Sequence, residues 1–184
     1  SQKIVERPRL LERIRAEVMD PARAHIVCFN SSPWERTLAV RLGLPLHSVD
    51  PELAHLGSKS GCREVFREAG VLLPFGFENL TSPEDIAGAL AAIKKQDPAA
   101  KRAVVKLNEG FSGEGNALFM YGDLDASLSE ETLAARIVDQ LPALRFEAPK
   151  ETWEAFAAKY AEMKGVVEAF VEFVADTLDE GKAR

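Results

Sequence analysis

Two short apolar runs flank a loop with three glycines in residues 102–120, RAVVKLNEGFSGEGNALFM. The first run holds Ala103, Val104, Val105 and Leu107, and the second extends from Ala117 to Met120. Runs this short, separated by Gly110, Gly113 and Gly115, predict a β-hairpin, since glycine adopts the positive φ that such a turn needs. The first strand carries an ammonium, Lys106, on the face it shares with Val104, while Val105 and Leu107 point the other way. A buried, unpaired ammonium is costly. Either that face meets solvent, as on an edge strand where lysine reaches water, or an anion meets the lysine. The loop favours the anion, because glycine peptides can turn successive N–H groups toward a phosphate and Ser112 adds a hydroxyl. The plainer alternative is a glycine-rich turn with no ligand, and the carboxylates of Glu109 and Glu114 speak for it. The pattern is neither a P-loop nor a dinucleotide fingerprint, because the lysine precedes the glycines and no GxxxxGK[ST] occurs.

The surrounding chain supplies a frame for this hairpin. Leu10, Leu11, Ile14 and Val18 recur at helical intervals within residues 5–19. HIVCF reads as a buried strand, and SSPWERTLAVRLG reads as a helix with Ser32 as cap, Pro33 at its first position, Glu35 closing a capping box and Gly43 ending it. With LPLHSVD as a further strand this makes a βαβ unit, hence a parallel, Rossmann-like piece. Residues 58–69 predict a helix with Val65 and Phe66 on its buried side and Gly70 at its end, followed by VLLPFG as a strand or extended exit. A helix capped by Ser82 and Pro83, the hairpin, two amphipathic helices and the apolar run GVVEAFVEFVADTL complete the order; the second half of that run suits either strand or helix.

Other residues bear on function. Lys59, 47 residues before Lys106, opens a predicted helix, where a cation opposes the helix dipole unless an anion lies nearby; a solvated lysine is the plainer case. Glu168 lies within an apolar strand, either on an open edge or accepting from a buried donor, and Glu172 shares its face. A net charge of −6 argues against nucleic acid as a partner. No apolar run approaches the roughly 18–20 residues of a membrane span. Cys28 and Cys62 form neither a disulfide framework nor a zinc spacing, so a reducing cytoplasm is the expected compartment. His25, His47 and His55 are scattered, and no metal ligand is assigned.

The order of these segments is more specific than any one of them. GSKSGCREVFREAGVLLPFG, SPEDIAGALAAI, AVVKLNEGFSGEGNALF and GVVEAFVE together resemble the ATP-grasp superfamily over roughly residues 24 to 172, most closely the bacterial branch in which a pre-ATP-grasp domain precedes the nucleotide-binding part, as in peptide ligases. The resemblance implies an α/β chain: a Rossmann-like pre-ATP-grasp piece over 1–57, then the first (α+β) nucleotide-binding subdomain with its hinge strand over 58–184. It implies that Lys59 and Lys106 hold the phosphates of ATP and that Gly110, Ser112, Gly113, Gly115 and Asn116 belong to the loop folding over them. It further implies that Glu168 reads the adenine amino group, that Ala169, Phe170 and Val171 offer backbone to the purine edge, and that Glu172 meets the ribose.

Such enzymes use ATP and magnesium to turn a small carboxylate substrate into an acyl phosphate, which an amine nucleophile then attacks. Their magnesium ligands and catalytic arginine lie well beyond the hinge, whereas Glu172 stands twelve residues before Arg184. The expectation is therefore a fragment or truncated relative lacking the C-terminal subdomain, inactive alone, with its catalytic residues unassigned. A homodimer burying the surface meant for the missing part is one arrangement open to it. The alternatives are a non-catalytic ATP-grasp-like nucleotide-binding or interaction module, and a purely structural α/β domain with a glycine hairpin.

Overall fold

The computed structural model describes residues 1–110 and 114–170. The chain divides into two compact units, Ser1–Gly57 and Ser58–Arg184.

In the first unit the expected helix over 5–19 is interrupted. A short helix α1 (Gln2–Val5) ends at Glu6, and α2 (Pro8–Glu17) starts afresh. Pro8 is the reason: lacking an N–H, it suits the first helical position and not a helix interior. β1 (Ile26–Val27) leads into α3 (Pro33–Leu42), and β2 (Leu46–His47) returns parallel to β1. Each strand is only two residues long, far less than the apolar runs suggest. Ser32 accepts from the Trp34 N–H, its hydroxyl is held by Glu35, and Gly43 ends α3 at φ +70. Val5, Leu11, Leu38 and Leu42 form the small core.

The second unit is built on a five-stranded antiparallel sheet. α4 (Lys59–Glu68) precedes β3 (Gly76–Leu80), α5 (Pro83–Gln96) and the hairpin of β4 (Arg102–Leu107) and β5 (Asn116–Met120). α6 (Glu130–Val138), β6 (Arg145–Phe146), α7 (Trp153–Met163) and β7 (Gly165–Ala169) follow. The strand order is β3-β7-β4-β5-β6, with every pairing antiparallel. Ala103, Val105, Leu107, Ala117 and Phe119 face a core filled by residues of α5, α6 and α7, including Leu90, Ile137 and Phe156. The hairpin register sets Lys106 opposite Asn116 and Val104 opposite both Leu118 and Glu168, so these residues share the other face. β7 lies between β3 and β4, which removes the open-edge explanation for Glu168.

One expectation fails here, and one pair of alternatives is narrowed. Val65 and Phe66 are 38% and 46% exposed, and the buried residues of α4 are Ser60, Gly61 and Arg63. The helix turns its polar side inward because carboxylates wait there to receive Arg63, a gain that the two apolar side chains cannot match in direction. VLLPFG forms no strand until Gly76: Pro74 has no N–H to give a ladder, and its carbonyl is taken by the Arg63 guanidinium. The second half of the final apolar run lies outside the described residues.

Candidate functional site

Four elements, α4, β3, β4 and β7, bring charge to one face of the sheet. Lys106 projects from β4, and its ammonium is bonded to the Glu168 carboxylate on β7. The second Glu168 oxygen accepts from Arg63 Nη1 of α4 at 2.6 Å. Arg63 is nearly buried and spends its whole fork: Nε donates to Glu78 at 2.6 Å and Nη2 to the Pro74 carbonyl at 3.0 Å. Arg67 adds a second cation to Glu78. Burial pushes the Glu168 carboxyl up, but the hydrogen bonds and charges of Lys106 and Arg63 outweigh it and leave the group below the usual carboxylate range. Lys59 Nζ lies 3.5 Å from the Gly110 carbonyl, at the start of the glycine loop. Burial lowers the pKa of Lys59 and the charge of Lys106 lowers it further. Four cations (Lys59, Arg63, Arg67, Lys106) therefore meet two carboxylates (Glu78, Glu168), in a chain that is acidic as a whole.

The loop needs its glycines for two different reasons. A Cβ on Gly110 would collide with the Glu114 carbonyl oxygen, whereas Gly115 sits at φ +85 and passes its carbonyl to the Leu107 N–H at 2.8 Å. Ser112 and Gly113 lie outside the described residues. Asn116 donates to Glu147 at 3.2 Å, and its buried Oδ1 has no protein partner. An open cavity of about 600 Å³ behind the loop is lined by Leu107, Gly110, Glu114, Lys150 and Met163 among others; it lies on the Leu107 side of the sheet, away from Lys106. At the far end of β7 the Ala169 N–H is bonded to the Phe75 carbonyl at 2.8 Å, and the Phe170 ring lies 3.8 Å from the Arg102 guanidinium. Val171 and Glu172 fall outside the described residues.

Sequence reasoning found Lys59, Lys106 and Glu168 but missed what holds them. Arg63 follows Lys59 by one helical turn and Glu78 lies next to Phe77 in the middle of β3; both signals are legible only once α4 is known to bury its polar side. Asn108, next to the strand end, went unremarked, although its side chain binds the first turn of α4. Among the described residues no group of three or more His, Cys, Asp and Glu is placed to hold a metal ion, and no helix is long and apolar enough to cross a membrane.

A family model described as IQCH-like ATP-grasp matches residues 51–140. An L-propargylglycine–L-glutamate ligase of Streptantibioticus cattleyicolor is 30% identical over 178 residues, which is 95% of this chain and 34% of that protein. The IQ motif-containing protein H of Danio rerio is 23% identical over 189 residues, covering 89% of this chain and 18% of its own length. The chain thus spans about a third of the first relative and less than a fifth of the second.

Proposed function

Because this chain belongs to the ATP-grasp superfamily, we propose that its second unit grips the polyphosphate of ATP between Lys59, Lys106 and the loop Gly110–Asn116. One observation carries this reading: Lys59 Nζ, 3.5 Å from the Gly110 carbonyl at the start of the glycine loop, has its pKa lowered by burial and then by the charge of Lys106 on a separate element. An anion with several oxygens relieves that repulsion, and a polyphosphate beside a glycine loop is such an anion. Lys106 is bonded to Glu168. On this reading a phosphate competes for the same ammonium, and Arg63 keeps Glu168 neutralised when it does. Glu168 would then offer its remaining acceptor capacity toward the adenine amino group, with Val171 and Glu172 of the same run on the purine and ribose.

Likeness to an ATP-grasp ligase supports ATP-dependent ligase activity at the family level. The finer proposal is a carboxylate–amine ligation of the peptide type. ATP would phosphorylate a small carboxylate substrate and an amine nucleophile would displace the phosphate. Residues 1–57 would form the pre-ATP-grasp piece and 58–184 the first nucleotide-binding subdomain. The lysines supply charge neutralisation during transfer. Magnesium would supply further charge neutralisation on the phosphates, and among the described residues no group of three or more His, Cys, Asp and Glu is placed to hold it. The second reading is a non-catalytic ATP-grasp-like nucleotide-binding or interaction module, which the match to the IQ motif-containing protein H leaves open.

Calorimetric titration with ATP, with and without magnesium, tests the shared premise. Lys106→Ala is expected to weaken ATP binding by about tenfold or more while leaving the thermal midpoint within a few degrees. Equal affinity in the two proteins would rule out the phosphate role. Phosphate release that depends on both a carboxylate and an amine would then separate the ligase from the binding module.

A further inference from the structure

Lys59 and Lys106 stand on different elements, and two like charges do not stay near each other unless the backbone holds them there. Asn108, two residues after Lys106, provides the hold. Its backbone carbonyl accepts from the Lys59 N–H at 3.3 Å. Its side-chain Oδ1 accepts from the Ser60 N–H at 3.1 Å and from the Ser60 hydroxyl at 2.8 Å. The Asn108 N–H in turn donates to the Lys164 carbonyl at 3.0 Å, just before β7. The Ser60 hydroxyl also accepts from the Asn79 N–H of β3 at 3.0 Å, and both Ser60 and Asn108 are buried.

Helix α4 is thereby capped from outside its own segment. Of its first three N–H groups, those of Lys59 and Ser60 go to Asn108, and that of Gly61 goes to the N-cap hydroxyl of Ser58. These three N–H groups are taken within the chain, unlike those of a helix that cradles an anion with its free N–H groups. With those three donors taken, a grip on an anion at this place rests on the lysine side chains, and their separation matters. That separation is set where α4 is pinned to the end of β4.

We infer that Asn108, with Ser60 as its partner, is a positioning residue for the phosphate grip: it fixes Lys59 against Lys106 and the first glycine of the loop. This rests on the nucleotide reading above. A residue that merely supports the fold would alter binding of every part of the nucleotide. A residue that spaces the two lysines alters the phosphate end and spares the base.

The test compares ATP with adenosine on the whole chain, for the unaltered protein, Asn108→Ala, Ser60→Ala and the double variant, with folding checked by circular dichroism. Asn108→Ala is expected to weaken ATP binding ~10-fold while changing adenosine binding by no more than about twofold. Ser60→Ala loses the hydroxyl's bonds to Asn108 Oδ1 and from the Asn79 N–H but keeps the Lys59 and Ser60 N–H bonds to Asn108, so it should shift ATP in the same direction by less and serves where Asn108→Ala folds poorly. Because the two residues touch, the double variant should lose little beyond Asn108→Ala. Unchanged ATP affinity in both single variants, or equal losses for ATP and adenosine, would overturn the inference while leaving the nucleotide reading intact. Failure of the unaltered chain to bind ATP at all would instead overturn the nucleotide reading and this inference with it.

Discussion

Glu168 takes its behaviour from Arg63 and Lys106, which lie 105 and 62 residues away in the chain. Its lowered pKa makes it a source of stability with a definite sign. The folded state holds the carboxylate ionised more strongly than the unfolded chain does. The contribution is therefore complete above the ordinary carboxylate value, about 4.3, and is lost as pH falls through the lower folded value. Glu168→Gln removes that dependence. The variant should be less stable than the parent by about 1–3 kcal/mol at neutral pH, and the gap should close in acid. Denaturant titrations at several pH values measure this, and a gap that persists unchanged at low pH would contradict the assignment. The sequence marked Glu168 as a polar residue in an apolar strand, but whether it faced water or a partner depended on strand order. A central strand between β3 and β4 leaves only the partner.

At the scale of elements, α4 and the hairpin behave differently. The hairpin follows from local signals: a short apolar run in β4, glycines in the loop and a second apolar run in β5. Its loop tolerates little at Gly110, where any Cβ meets the Glu114 carbonyl. Gly110→Ala should therefore displace the loop and weaken ATP binding, with only a modest loss of stability because the core strands stay paired. Calorimetry beside thermal melts decides it; full ATP affinity in the variant would show that the loop shape does not matter for phosphate contact. α4 was legible as a helix but not in its orientation. Its caps and length were readable, whereas its buried side was misjudged, because Val65 and Phe66 outrank Arg63 in hydropathy yet find no cavity to fill. Arg63 finds two carboxylates and a carbonyl, one acceptor for each of its three nitrogens, and such pairing offsets the cost of burying it.

For the molecule as a whole, the described residues assigned to nucleotide all lie in the unit Ser58–Arg184. Residues 58–184 made alone are therefore expected to bind ATP within about threefold of the whole chain, that is within about 0.7 kcal/mol. A loss much larger than this would assign part of the site to the unit Ser1–Gly57. Amino-acid order by itself determined what depends on near neighbours: helix starts at Ser32 and Ser82, the glycine-enabled turn, and a lysine on the face opposite Val105 and Leu107. Period, capping and φ preference act over a few residues, so they can be read along the chain. Only the tertiary structure decided which groups meet across it. The pairing of Lys106 with Glu168, the burial of Arg63 between Glu78 and Glu168, and the capping of α4 by Asn108 each join residues from separate elements. No local pattern encodes those meetings, because they arise from strand order and from the cost of leaving a buried charge or N–H without a partner.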